Sequence, residues 1–207
     1  MKDDLLVLVA DAQTQATVET LLEKRRDALD IREIAYKVER HPDNDSGVYN
    51  EAHKFLQSRR KLYEKFLIVW DEEWYTGKNP LSAEAQERKV SENMMANGFD
   101  TGDFRAVVIS PELEAWVWGN SAKIPEILRS SWEKIRGLGV SEKLWDTGKP
   151  KPQRPKELLE AVLKPQKRPS SASIFKELAV AVSFKNCEDP AFQRFCATLR
   201  EWFPAEK

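Results

Sequence analysis

The residues of this sequence best placed to do chemistry are the acidic side chains that follow its apolar runs. Phe66-Leu67-Ile68-Val69-Trp70 breaks directly into Asp71-Glu72-Glu73, Leu5-Leu6-Val7-Leu8-Val9 reaches Asp11, and Ala106-Val107-Val108-Ile109 passes through Ser110-Pro111 to Glu112 and Glu114. Carboxylates are hard oxygen donors, and Mg²⁺ (or Mn²⁺) needs only one or two of them beside waters and substrate phosphates. Asp71 and Glu73 are two positions apart and can turn toward one ion once the strand ends, with Asp11 or Glu114 completing the shell or positioning water. Taken alone, Asp-x-Glu also reads as solvated charge at a strand end; its recurrence at three strand tips favours a site. Pro111-Glu112-Leu113-Glu114 has a structural reading too, as proline and glutamates at a helix start. Both hold if that helix start faces the crevice.

Other residues offer weaker signals. His41 and Asp45 fall in a turn-rich loop with His53 beyond it, where a histidine could orient water or contact a phosphate; a turn-forming Asx cluster is the plainer explanation. Lys149, Lys151, Arg154, Lys156, Lys164, Lys167 and Arg168 form a basic stretch opposed only by Glu157 and Glu160. It could hold a nucleic-acid backbone or a phosphorylated ligand, with Ser170 and Ser171 adding neutral donors at a helix start, or it could be a solvated surface. Trp74, beside the acidic tip, is a candidate contact. No serine or cysteine sits in a nucleophile elbow and no glycine-rich phosphate loop occurs, which argues against acyl transfer and P-loop chemistry.

The elements that must position these residues follow from periodicity. The expected order is strand, helix over Thr14 to Leu29, strand over Ile31 to Val38, loop over 41–47, helix over Val48 to Tyr63, strand Phe66 to Trp70, a Gly77-to-Pro80 turn, helix Ala83 to Asn97 and strand Phe104 to Ile109. Such alternation is the pattern of an α/β fold with a mostly parallel sheet flanked by helices. In an open sheet of that kind ligands bind at the carboxyl ends of the strands, where all the acidic groups fall.

Beyond Ser110 a short helix over Pro111 to Gly119 is expected. The prolines of Thr147 to Pro155 make a stiff basic connector, followed by helices over Lys156 to Lys164, Ile174 to Val182 and Ala191 to Trp202. Residues 1–120 are therefore read as the α/β core and 121–207 as a helical extension packed on it.

The chain has 207 residues and a net charge of −1, enough for one main domain with a sizeable core and no overall electrostatic bias toward nucleic acid. No stretch approaches the roughly 18 apolar residues of a spanning helix, and the acidic start is unlike a secretory leader, so no membrane partner and a cytoplasmic location are expected. Cys187 and Cys196 lack metal-ligand or redox spacing and read as buried thiols.

Strand-tip acid, then a hydrophobic strand into Asp-x-Glu, then Pro-Glu-x-Glu-Ala-Trp resembles the Toprim-like proteins of bacterial phage-defence loci. In more detail, the chain resembles the small Toprim-like component of methylation-associated defence systems. The resemblance is carried by Leu5-Val7-Val9-Ala10-Asp11, His41-Pro42 with Asp45, Val69 to Glu73, Pro111 to Trp118, Lys151-Pro152 to Lys156, Arg168-Pro169-Ser170-Ser171 and Trp202-Phe203-Pro204. It implies a Toprim-like core in which Asp71, Glu73, Asp11 and Glu114 hold Mg²⁺ for phosphodiester cleavage or phosphoryl transfer. It also implies substrate phosphates on the basic connector and partner proteins from the same locus. Toprim domains use a glutamate after the first strand and Asp-x-Asp after a later one; Asp11 and Asp71-x-Glu73 depart from both. That departure also fits a catalytically degenerate interaction or regulatory subunit, and a nucleotide-binding module is a further alternative.

Overall fold

In a sheet covered on both faces, successive strand residues must be apolar in both directions, and three of the four strands meet that demand. In β1 (Asp3–Val9), Leu5, Val7 and Val9 enter one core while Leu6, Leu8 and the following Ala10 enter the other. β3 (Tyr63–Asp71) divides Leu67 and Val69 from Phe66, Ile68 and Trp70, and β4 (Phe104–Ile109) divides Val107 and Ile109 from Ala106 and Val108. Each Val, Leu, Ile or Phe among them, fully buried, stabilises the fold by about 1.5–3 kcal/mol. The computed structural model describes residues 2–74, 80–119, 121–181, 187 and 189–205. The expected turn at 77–79 and the end of the Ile174-to-Val182 helix at Val182 lie outside them.

β2 (Tyr36–Arg40) completes a four-stranded sheet of order β2-β1-β3-β4, parallel throughout. The pairings Val9↔Val69 and Asp71↔Ile109 fix the register. Continued two residues past Val9, that register brings Asp11 level with Asp71, and the chain leaving Ile109 reaches Glu112 and Glu114 at the same edge.

α1 (Ala12–Lys24) and α2 (Arg26–Leu29) follow β1. The sequence suggests one helix here; Arg25 interrupts it at φ −126° and ψ 19° while its guanidinium donates to the carbonyls of Ala179 and Val180. The second strand also differs from expectation. Ile31 to Ile34 lies outside the ladder, with Ile31 bridging antiparallel to Pro204 and Arg32 held by Asp4 at 2.6 Å; contact with β1 begins at Ala35, whose carbonyl accepts from the Asp4 and Leu5 N–H groups. α3 (Asn44–Gln57) begins earlier than its composition suggests, since Asp, Asn and Ser favour helix starts as strongly as turns. α4 (Ala83–Ala96) joins α3 over the Leu6, Leu8 and Trp70 face.

The opposite face is covered by α1 and by the second half of the chain. That half comprises α5 (Glu114–Val117), α6 (Lys123–Ile127), α7 (Trp132–Ser141), α8 (Pro155–Leu163), α9 (Ala172–Ala181) and α10 (Pro190–Trp202). Leu158, Leu163, Phe175, Phe195 and Leu199 share one continuous core with Val7, Val69 and Val107. The expected extension is thus the third layer of an α/β/α stack. Pro155 opens α8 instead of closing the connector, and its carbonyl accepts from Trp118 Nε1 at 2.9 Å, tying α8 to the end of α5.

Candidate functional site

A cleft of about 840 Å³ opens at the carboxyl ends of the strands. Its floor is Asp11, Asp71 and Glu114; one wall is the outward face of α8, and the far end is the turn carrying Lys164, Lys167, Arg168 and Ser170. α8 is amphipathic: Leu158, Leu159, Val162 and Leu163 are buried beneath it, leaving Lys156, Glu157, Glu160 and Ala161 for the cleft.

The floor carries several acidic groups that oppose one another's ionisation. Asp71 Oδ1 is buried and has no hydrogen-bond partner. Burial, reinforced by Asp45, Asp11, Glu114 and Glu112, pushes the Asp71 carboxyl well above the usual carboxylate range. Asp45 accepts from the Asp71 backbone N–H at 3.2 Å; burial still raises it, with Asp11 adding to the effect. Glu114 is pushed up to about 7 by burial and then by Glu112. Burial likewise raises Glu112 despite Lys156, whose Nζ lies 3.4 Å from Glu112 Oε2. Partial burial works against the Lys156 charge, but Glu112, Glu114 and Asp71 outweigh it and its pKa rises. The floor is a place where a positive charge is favoured.

Asp11 also has a local task. Its Oδ1 accepts from Thr14 N–H at 2.7 Å and caps α1. Among the described residues no group of three or more His, Cys, Asp or Glu side chains is arranged so as to hold a metal ion. The donor chemistry nevertheless fits Mg²⁺ or Mn²⁺, which take few protein carboxylates and complete their shell with water and phosphate. Asp71, with its unpartnered buried oxygen, is a residue that could hold such an ion.

Of the residues singled out by sequence, Asp11, Asp71, Glu114, Lys156, Arg168 and Ser170 meet in the cleft. Glu73 does not line it. The backbone after Asp71 enters a 3₁₀ turn, Glu72–Trp74, which advances about 120° per residue instead of alternating, so Glu73 is exposed and its N–H donates to Pro111 O at 3.1 Å. Lys151 is directed elsewhere, donating to Ala115 O at 2.9 Å with Asp189 at 4.0 Å. His41 is buried against Phe55, and its Nδ1 accepts from Asp43 N–H at 3.1 Å; burial lowers its pKa, and the ring supports the turn into α3. Ser171 lies at the start of α9, where its carbonyl accepts from Phe175 N–H at 3.2 Å. Trp74 donates to Gln86 Oε1 at 2.9 Å and packs on Tyr49, away from the cleft lining.

Lys164, one of the basic stretch, lines the cleft as well, and so does Glu160, which in the sequence reads only as a charge opposing that stretch. Their signal is the spacing Lys156, Glu160, Lys164, which places all three on one face of a helix. Asp45 does not line the cleft; it sits against the Asp71 backbone because α3 starts at the loop that contains it. Comparison with known proteins finds no matching family model, no matching curated protein and no matching solved structure.

Proposed function

We propose that the chain is a Toprim-like, divalent-metal-dependent nuclease or phosphoryl-transfer effector, working with partner proteins in a multi-component anti-phage system. The observation that carries the chemical part is the polarity of the cleft: mutually repelling carboxylates at one end and Lys164, Lys167 and Arg168 at the other. The first end favours a cation and the second an anion, the two components of a metal-bound phosphate ester. Asp71 would hold Mg²⁺ or Mn²⁺ with help from Asp11 or Glu114; a bound ion there would neutralise phosphate charge and acidify a water. Lys156 would stabilise charge on the phosphoryl oxygens, and the basic turn would orient the substrate. The defence setting and partners rest on the motif resemblance alone.

A second reading has its own support. Asp11 is engaged in capping α1, Glu73 stands outside the cleft, and the described carboxylates form no ready ion cage. These features suit a catalytically degenerate regulatory subunit that has kept the fold. Asp71→Asn separates the two: the enzyme reading expects Mn²⁺ binding by calorimetry and Mn²⁺-dependent phosphodiester cleavage in the parent protein, both lost in the variant with the thermal transition kept. Cleavage that survives the substitution removes Asp71 from the chemistry.

A further inference from the structure

α8 orders its charges along the cleft. Lys156 stands at the acidic end, against Glu112; Glu160 follows one turn later, and Lys164 closes the face. At 1.5 Å per residue Lys156 and Lys164 are separated by about 12 Å along the helix. Lys167, Arg168 and Ser170 join Lys164 on the turn beyond. Backbone contacts hold that turn: Gln166 Nε2 donates to Leu128 O at 2.8 Å and Val162 O at 3.1 Å, and Arg168 Nη1 donates to Ile127 O at 3.0 Å. Lys164 and Lys167 remain exposed.

With a cation held at the acidic end, the cleft has two anion-attracting points separated by the Glu160 carboxylate, and that spacing discriminates between phosphorylated ligands. In a nucleoside triphosphate the charges are contiguous, so one phosphate would lie against Glu160. In a nucleic-acid strand a neutral sugar separates successive phosphates and can pass that carboxylate, and in RNA its 2′-hydroxyl can donate to it. The cavity, about 840 Å³, is far larger than one phosphate requires and accommodates a short single strand. Its lining contains no aromatic side chain among the described residues, so bases find no stacking platform there and recognition runs through the sugar-phosphate backbone.

Resting on the metal-dependent reading of the acidic end, we propose that Lys164, Lys167, Arg168 and Ser170 form a second phosphate subsite. The cleft then takes the phosphate-bearing end of a single strand, with the terminal phosphate on this turn and an internal phosphodiester against Asp71. Charge-assisted contacts of this kind give the terminal phosphate about a tenfold gain in affinity.

The test is calorimetric titration of the full chain with trinucleotides of RNA and DNA bearing a 5′-phosphate, a 3′-phosphate or neither, in EDTA and in Mn²⁺. ATP and pyrophosphate serve as contiguous-charge competitors. A terminal phosphate at one end should tighten binding about tenfold in EDTA as well as in Mn²⁺. Lys164→Gln combined with Lys167→Gln should erase that gain and leave Mn²⁺ binding intact. The proposal is overturned if neither terminal phosphate improves binding in EDTA, if the gain survives the double substitution, or if ATP or pyrophosphate binds as tightly as the phosphorylated strand. Failure of the metal reading is distinguishable: Mn²⁺ would not bind, while the phosphate gain in EDTA would persist.

Discussion

Replacing Glu114 by glutamine should stabilise the metal-free protein, by an amount that depends on pH in a defined way. Glu114 is only 6 % exposed, so solvent does little to screen it, and its pKa rises from 4.5 to about 7 on folding. The folded state therefore holds this proton more tightly than the unfolded chain does. Below pH 4.5 the carboxyl is protonated in both states and costs nothing; the cost grows between 4.5 and about 7 and is constant above. At about 1.4 kcal/mol per pH unit, the full effect is about 3 kcal/mol. Glutamine keeps the shape and removes the charge. Urea unfolding of parent and Glu114→Gln in EDTA should show stabilities that coincide near pH 4.5 and separate by up to about 3 kcal/mol at alkaline pH, the variant being the more stable. A difference that does not vary with pH, or that favours the parent, would refute the claim that this carboxyl is ionised against burial and Glu112. Saturating Mn²⁺ should narrow the gap, because an ion that binds only the folded parent stabilises it by mass action.

Two further predictions concern the scaffold that sets the site. Gln86 Oε1 accepts from Trp70 Nε1 at 3.0 Å and from Trp74 Nε1 at 2.9 Å, and its Nε2 donates to Glu72 O and Leu81 O; Gln86→Leu strands the buried Trp70 N–H and should cost about 2–4 kcal/mol in chemical unfolding, a loss under about 0.5 kcal/mol speaking against the network. A Cβ on Gly47 would lie 1.9 Å from His41 Nδ1, so Gly47→Ala must displace the imidazole and should lower stability by about 1–3 kcal/mol, an unchanged melting temperature being the contrary result.

The fold was legible because its central strands are apolar on both faces and end in abrupt polarity changes. Phe104 to Ile109 begins and ends where the pattern places it, and Asp11, Asp71 and Glu114 line one cleft while Glu73 does not. The errors share a cause, namely that periodicity carries no information about contacts far along the chain. Ile31 left the second strand for Pro204, and Arg25 broke the first helix to reach the end of α9. Glu73 is not where the sequence suggests because nothing local says which way the chain turns once the strand ends; here a 3₁₀ turn leaves it exposed. Lys151 and Lys156 look equivalent in sequence; only the packing of α8 sends one to Ala115 O and the other to Glu112. Asp45 reaches the Asp71 backbone from below the floor through the same long-range packing, carried there by α3.

Crystals soaked in Mn²⁺ and measured at the manganese absorption edge test the central claim most directly. The account predicts an anomalous peak on the cleft floor within ligand distance of Asp71, with Asp11 or Glu114 beside it, absent from Asp71→Asn crystals. Anomalous density confined to other surfaces, with Asp71 Oδ1 left buried and unliganded in ion-saturated crystals, would contradict it.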